Sequence, residues 1–286
     1  MSRARGTGKG RRSSKRGARR GRGGTKGGLS TSVLVIGAIA VIVLLGGGFW
    51  WAGRQTALAA VDAKTLCPLA SGPVAMTSIL LDLTDPLSPA QHSQLMAWLD
   101  EEIDASTEGT QFTLGVVSEH PEKWGATEPL CKPQDTASAS SLTQNVRLVG
   151  DRYRERFLAP LKENLEQMVS ASGANSSPIM ESLQALVSAT PGFVTYEGPR
   201  RIVLVTDLLQ HSDVLSFYRG GDWESFSNSR DYQRVGATLS NAVVQIYQVP
   251  RPAEGIRDSD AVDDFWLRYF ERQGTQAPSV KRLGDL

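Results

Sequence analysis

From Leu29 to Gly53 the chain reads LSTSVLVIGAIAVIVLLGGGFWWAG, without a single charged residue. About 20 residues of helix cross the hydrocarbon core of a bilayer, so this run is long enough to span one as a single helix. Phe49, Trp50 and Trp51 stand at one end, where aromatic rings favour the membrane interface. Residues 1–28 hold eleven of the chain's 31 Lys and Arg and no acid. Positive charge beside a span stays on the cytoplasmic side. The expected location is therefore a cytoplasmic or inner membrane, single-pass, with the N-terminus inside and the C-terminal domain outside, periplasmic or extracellular. Ala57 to Ala59 offers the small-residue pattern of a signal-peptide cleavage site. The long basic segment and the spanning length of the apolar run favour an uncleaved anchor instead.

A formal net charge of +1 conceals a division. With the basic segment set aside, the rest of the chain carries about ten more acids than bases. Residues 1–28, rich in Gly, Ser and Arg, have nothing to bury and are expected to be disordered. GARRGRGG resembles Arg-Gly segments that bind RNA. Its position directly before an apolar run argues more strongly for a topogenic segment that holds anionic lipid headgroups, which makes nucleic acid the weaker reading.

After a juxtamembrane linker, residues 54–73, the sequence alternates strands and helices over 74–272, and 273–286 reads as a C-terminal tail. VAMTSILLDL (74–83) is an apolar run that suits a strand buried on both faces. Ser88 offers an N-cap and Pro89 a first helical residue for a helix whose Leu95, Trp98, Leu99 and Ile103 recur at helical spacing. TQFTLGVVS (110–118) reads as the next strand. Residues 119–145, with three prolines and TASASSLT, read as a long loop. A helix then carries Val149, Tyr153, Phe157, Leu161, Leu165 and Met168 on one stripe, and Pro160 should kink or divide it. Pro178 opens a shorter helix, RRIVLVTDLL (200–209) is a second buried strand, RDYQRVGATL is a further helical segment, and NAVVQIYQV (241–249) is a third apolar strand. A capped amphipathic helix ending at Gly274 follows. Strands separated by helices imply an α/β fold: a Rossmann-like, mainly parallel sheet with helices on both faces.

The two cysteines, Cys67 and Cys131, both fall in the part expected outside the membrane. An oxidising compartment permits them to pair, and the disulfide is favoured over two buried thiols on that ground.

Asp82 and Asp207 each end an apolar strand, and in an open parallel sheet ligands bind outside the carboxyl ends of the strands. ILLDLTDPLS, followed much later by RRIVLVTDLLQHS, resembles a von Willebrand factor type A domain over about residues 74–272. That resemblance implies a metal-ion-dependent adhesion site, in which Mg²⁺ completes its coordination with a carboxylate of a partner protein. Asp82 matches the family's first aspartate, Thr84 its first hydroxyl and Asp207 its last aspartate. The second hydroxyl position is Pro86, which has no ligand, and Leu208 stands where the family has glycine. Ser176 or Ser177 would have to serve as the middle-loop hydroxyl, with Asp85 as a further donor. A site that keeps the fold and has lost the metal fits the same residues, as do local helix caps at Asp82 and Asp207.

DLTDPLS also resembles the loop of haloacid-dehalogenase-like phosphotransferases, in which Asp82 would be the nucleophile. Such enzymes need a cationic group for the phosphate, and no lysine sits at a strand end. Asp213 could pair with Asp207 there, yet the acidic body disfavours an anionic substrate. The three histidines show no zinc spacing, and neither a Gly-x-Ser-x-Gly elbow nor a phosphate-binding glycine loop is present. The expected function is therefore a membrane-anchored extracytoplasmic protein-binding module, docking an envelope protein through Asp82, Thr84, Asp85, Ser177 and Asp207.

Overall fold

A computed structural model describes residues 31–58, 60–120, 126–142, 144–170, 175–236, 239–251, 256 and 259–284. Two units part between Gly53 and Arg54. In the first, helix α1 (Thr31–Leu58) carries apolar side chains that are exposed at Val33 and from Val35 to Trp51, Leu44 by 74%. Among the described residues no helix is long and apolar enough to cross a membrane. The side chains described without a break run from Val35 to Trp51. The span expected over 29–53 extends beyond them at both ends, and the basic tail lies outside the described residues.

The second unit is built on a six-stranded sheet in the order β3-β2-β1-β4-β5-β6. Strands β1 (Ala75–Leu81), β2 (Thr110–Val116), β4 (Arg200–Thr206), β5 (Val243–Gln248) and β6 (Ser279–Arg282) run parallel, and only β3 (Leu130–Cys131) is antiparallel to its neighbour. Helix α2 (Pro89–Ala105) lies between β1 and β2, and α3 (Val146–Tyr153) and α4 (Ala159–Ser170) follow β3. Helix α5 (Ile179–Ala189) precedes β4, the short helices α6 (Trp223–Ser227) and α7 (Arg230–Val235) precede β5, and α8 (Ser259–Arg272) precedes β6.

Apolar runs without alternation become intelligible once both faces are covered. Along β1 and β4, Met76, Leu80, Ile202 and Leu204 join a core with α5 and α8, while Ile79, Leu81, Val203 and Val205 join a second core with α2 and α4. Leu95, Leu99 and Ile103 carry α2 into that second core. Its start is as expected: the Ser88 hydroxyl accepts from the Gln91 N–H at 3.2 Å, and the Gln91 side chain accepts from the Ser88 N–H at 3.1 Å.

Pro160 does interrupt its helix. Residues Arg154–Leu158 form a π-helical turn, in which the N–H of Ala159 bonds to the carbonyl of Arg154. A widened turn just before proline accommodates the ring, which would otherwise crowd the carbonyl four residues back.

Two segments differ from their sequence reading. The loop over 119–145 contributes β3, whose Cys131 pairs with Gln111. The segment read as a C-terminal tail contributes β6, which pairs in register from Gln245 with Ser279 to Gln248 with Arg282. All four β6 side chains are exposed, so no buried pattern marked the strand.

Cys67 and Cys131 form a disulfide that ties the linker before β1 to the β3 edge. Next to it, Lys132 is only 4% exposed, and its ammonium donates to the carbonyls of Ile103, Asp104 and Ser106 at 2.9, 3.0 and 2.8 Å. A positive charge thus closes the C-terminal end of α2, where the last carbonyls have no partner within the helix.

Candidate functional site at the carboxyl edge of the sheet

Strands β1 and β4 are neighbours, with Leu81 opposite Val205. The chain leaves β1 toward β2 on one side and returns to β4 on the other, so the crevice lies where the strand order reverses. Asp82 and Asp207 stand together at this edge, the Asp82 N–H still bonding across to the Val205 carbonyl at 2.7 Å.

The Asp82 carboxylate is 6% exposed and gathers three hydroxyl donors. Thr84 donates to Oδ1 at 2.8 Å, and Ser177 and Thr206 donate to Oδ2 at 3.0 and 2.9 Å. Burial pushes the Asp82 carboxyl up from its ordinary range, and these hydroxyls oppose the shift. Asp207 accepts the Leu209 N–H at 2.8 Å. Burial first, and the neighbouring Asp82 charge second, push its carboxyl up to about 7.

Ser177, rather than Ser176, is the serine that reaches Asp82. It is held by a two-way backbone bridge to His211, at 2.9 and 2.8 Å, and so by the loop that follows Asp207. One residue earlier, the buried Gln210 side chain accepts the Met180 N–H at 3.0 Å. It thereby caps α5, which has no side-chain cap of its own at Pro178. The loop after β4 therefore positions both Asp207 and Ser177.

Leu208 occupies the position where the resembling family has glycine, and it adopts the left-handed backbone that glycine would favour, with φ 68°. The cost is offset by burial of its side chain, by the Thr206 hydroxyl accepting its N–H at 2.9 Å, and by the Trp266 indole donating to its carbonyl at 2.8 Å. The backbone conformation of the turn persists although the glycine does not.

Asp85 and Pro86 lie exposed on the rim. Arg251, from the loop after β5, donates to their carbonyls at 3.2 and 2.6 Å. Thr206, Gln210, Arg251 and Trp266 are thus further parts of the site, the last three missed by sequence reasoning. Only Thr206, adjoining Asp207, carried a visible signal. Asp213 is exposed.

All donors gathered here are oxygen atoms, the chemistry that Mg²⁺ and similar hard cations prefer. Among the described residues no cluster of three His, Cys, Asp or Glu side chains could hold a metal ion. A cation here would depend on hydroxyls as well as the two aspartates. Two neighbouring carboxylates, Asp82 buried and Asp207 half-buried, without a lysine or arginine in ion-pair contact among the described residues suit such a cation, because it would replace their mutual repulsion with attraction.

No family model and no curated protein sequence matches the chain. Among solved structures, an aerotolerance-related membrane protein of Bacteroides fragilis, with multiple mutations to serines, is similar at 14% identity and a TM-score of 0.36, covering 74% of this chain and 92% of that one. The ArnB paralog VWA2 of Sulfolobus acidocaldarius is similar at 9% identity and a TM-score of 0.37, covering 75% of this chain and 44% of that one. Likenesses this slight carry no functional argument. The mixed sheet and its strand order fit a von Willebrand A-like fold.

Proposed function

We propose that this protein is a membrane-anchored binding module of the cell envelope that docks a partner protein at the crevice formed by Asp82, Thr84, Ser177 and Asp207. The observation that carries the reading is the convergence of three separate chain segments on the Asp82 carboxylate at the reversal point of the sheet. Such a crevice is where open α/β sheets take their ligands. Asp82, Thr84, Ser177 and Asp207 would hold Mg²⁺, with Asp85 on the rim. When bound, the ion would supply an open coordination position for a carboxylate of the partner. The chain's own residues set the preference: oxygen donors select a hard cation, and the two aspartates supply its countercharge.

The anchor in this reading is the uncharged run over 29–53, with residues 1–28 inside against anionic lipid and the domain outside. An oxidising exterior suits the Cys67–Cys131 bond. Tethering raises the local concentration of the module, so modest partner affinity suffices. A phosphotransferase is the weaker reading, because both Asp82 oxygens are occupied by hydroxyl donors and the nearby Arg251 is turned to backbone carbonyls.

A photo-crosslinking amino acid at the exposed Asp85 position tests the proposal in intact cells. The expected result is a discrete protein adduct that survives in alkali-washed membranes and disappears in Asp207→Ala. Adduct formation indifferent to Asp207→Ala, or loss of the chain in the alkaline wash, would count against it.

A further inference from the structure

Beside the Asp82 crevice, a cleft of about 620 Å³ opens between the loop after β4, helix α6 and the first turns of α8. Its lining is aromatic beneath, with three acids and Arg268 around it. Phe217 and Phe265, both buried, meet edge-on at 5.1 Å, and Trp223 stands edge-on to Phe265 at 5.3 Å. Trp223 is only half-buried and Tyr218 is 47% exposed, so this aromatic cluster, unlike a closed core, reaches the surface. Asp222 and Glu224 flank Trp223 in sequence, and Asp264 faces the cleft from α8.

The charges are unequal in a way that matters. Asp264 is answered by Arg268 at 2.8 Å. Among the described ion pairs, Asp222 and Glu224 have no lysine or arginine partner. Asp222 accepts the N–H and the hydroxyl of Ser225, at 2.9 Å each, and these bonds hold its carboxyl below the usual range, so it stays charged. The cleft therefore presents π faces, an apolar floor and two unanswered negative charges.

We propose that this cleft is a second docking site, which takes an arginine- or lysine-bearing segment of a partner protein. The side-chain stem would lie on the aromatic floor and the cationic head between Trp223 and the carboxylates of Asp222 and Glu224. Cation–π attraction is strongest at tryptophan and is reinforced where the cation is partly desolvated. The cleft adjoins the Asp82 crevice, with Tyr218 close enough to feel the Asp207 charge, but shares none of its carboxylates. The chain's own basic segment has suitable charge, but the proposed topology puts it across the membrane.

The test is fluorescence anisotropy of labelled nona-arginine with the full chain in detergent at low and moderate salt. Glu224→Gln is expected to weaken binding about threefold and Trp223→Leu about tenfold. Glu155→Gln, an equal charge change on an exposed surface elsewhere, should leave it unchanged. Equal weakening by Glu155→Gln and Glu224→Gln would reduce the effect to overall acidity and overturn the site. Tight binding retained in both Trp223→Leu and Glu224→Gln, or no binding by the native chain, would overturn it as well. Stronger binding after deletion of residues 1–28 would assign the cleft to the chain's own segment and overturn the partner.

Discussion

Asp207→Asn is expected to stabilise the folded unit at pH 8 by about 2–4 kcal/mol in the absence of divalent ions, although it removes a residue of the proposed site. The unfolded chain releases the Asp207 proton near the ordinary value of 3.8, whereas the folded chain holds it up to about 7. Between these values the folded state binds the extra proton, so raising the pH through this window lowers stability, and above it the loss is complete. Asparagine keeps an oxygen for the Leu209 N–H and cannot ionise. Urea denaturation should give native and variant chains matching stabilities at about pH 3 and below, where Asp207 is largely protonated in both states, and diverging ones toward pH 8. Mg²⁺ at pH 8 should close the gap by stabilising the native chain alone. Parallel pH profiles for the two chains would show that Asp207 is not strained by its surroundings.

Loss of the disulfide is the second large effect. Cys67 and Cys131 are separated by 64 positions, and opening a loop of that size restores unfolded-chain entropy worth about 4 kcal/mol. The local consequences add to it. Leu66, buried beside Cys67, adopts a left-handed backbone, and Cys131 immediately precedes the lysine that closes α2. Cys67→Ser, Cys131→Ser and the double variant should therefore melt alike, about 10 °C below the native protein, as should the native protein after reduction. A shift of about 2 °C or less would mean that the packing of the linker does not depend on the bond.

The sequence displayed the parts of this fold whose physics is local or repetitive. Strands β1 and β4 were legible because both of their faces are buried, which demands an unbroken apolar run ending in a polar residue at the sheet edge. The capping box at Ser88 and the interruption before Pro160 follow from short-range rules. Strand β6 was not legible, since a strand with four exposed side chains carries no pattern beyond its pairing with β5. Of the candidate site, Asp82, Thr84 and Asp207 stood out as strand ends. The choice of Ser177 over Ser176 depended on Gln210 and His211, more than 30 residues away, and no local signal announces such a bridge. At Leu208 the left-handed conformation of the turn was not legible, because glycine is the residue by which such a turn is ordinarily recognised.

Calorimetric titration of Mg²⁺ and Mn²⁺ at pH 8, where Asp207 is ionised, tests the central claim that the crevice is a cation-dependent docking site. The account predicts saturable binding at one site in the native chain, abolished in Asp207→Ala and strongly weakened in Thr84→Ala and Ser177→Ala. Absence of binding in the native chain, or binding that survives Asp207→Ala, would contradict it.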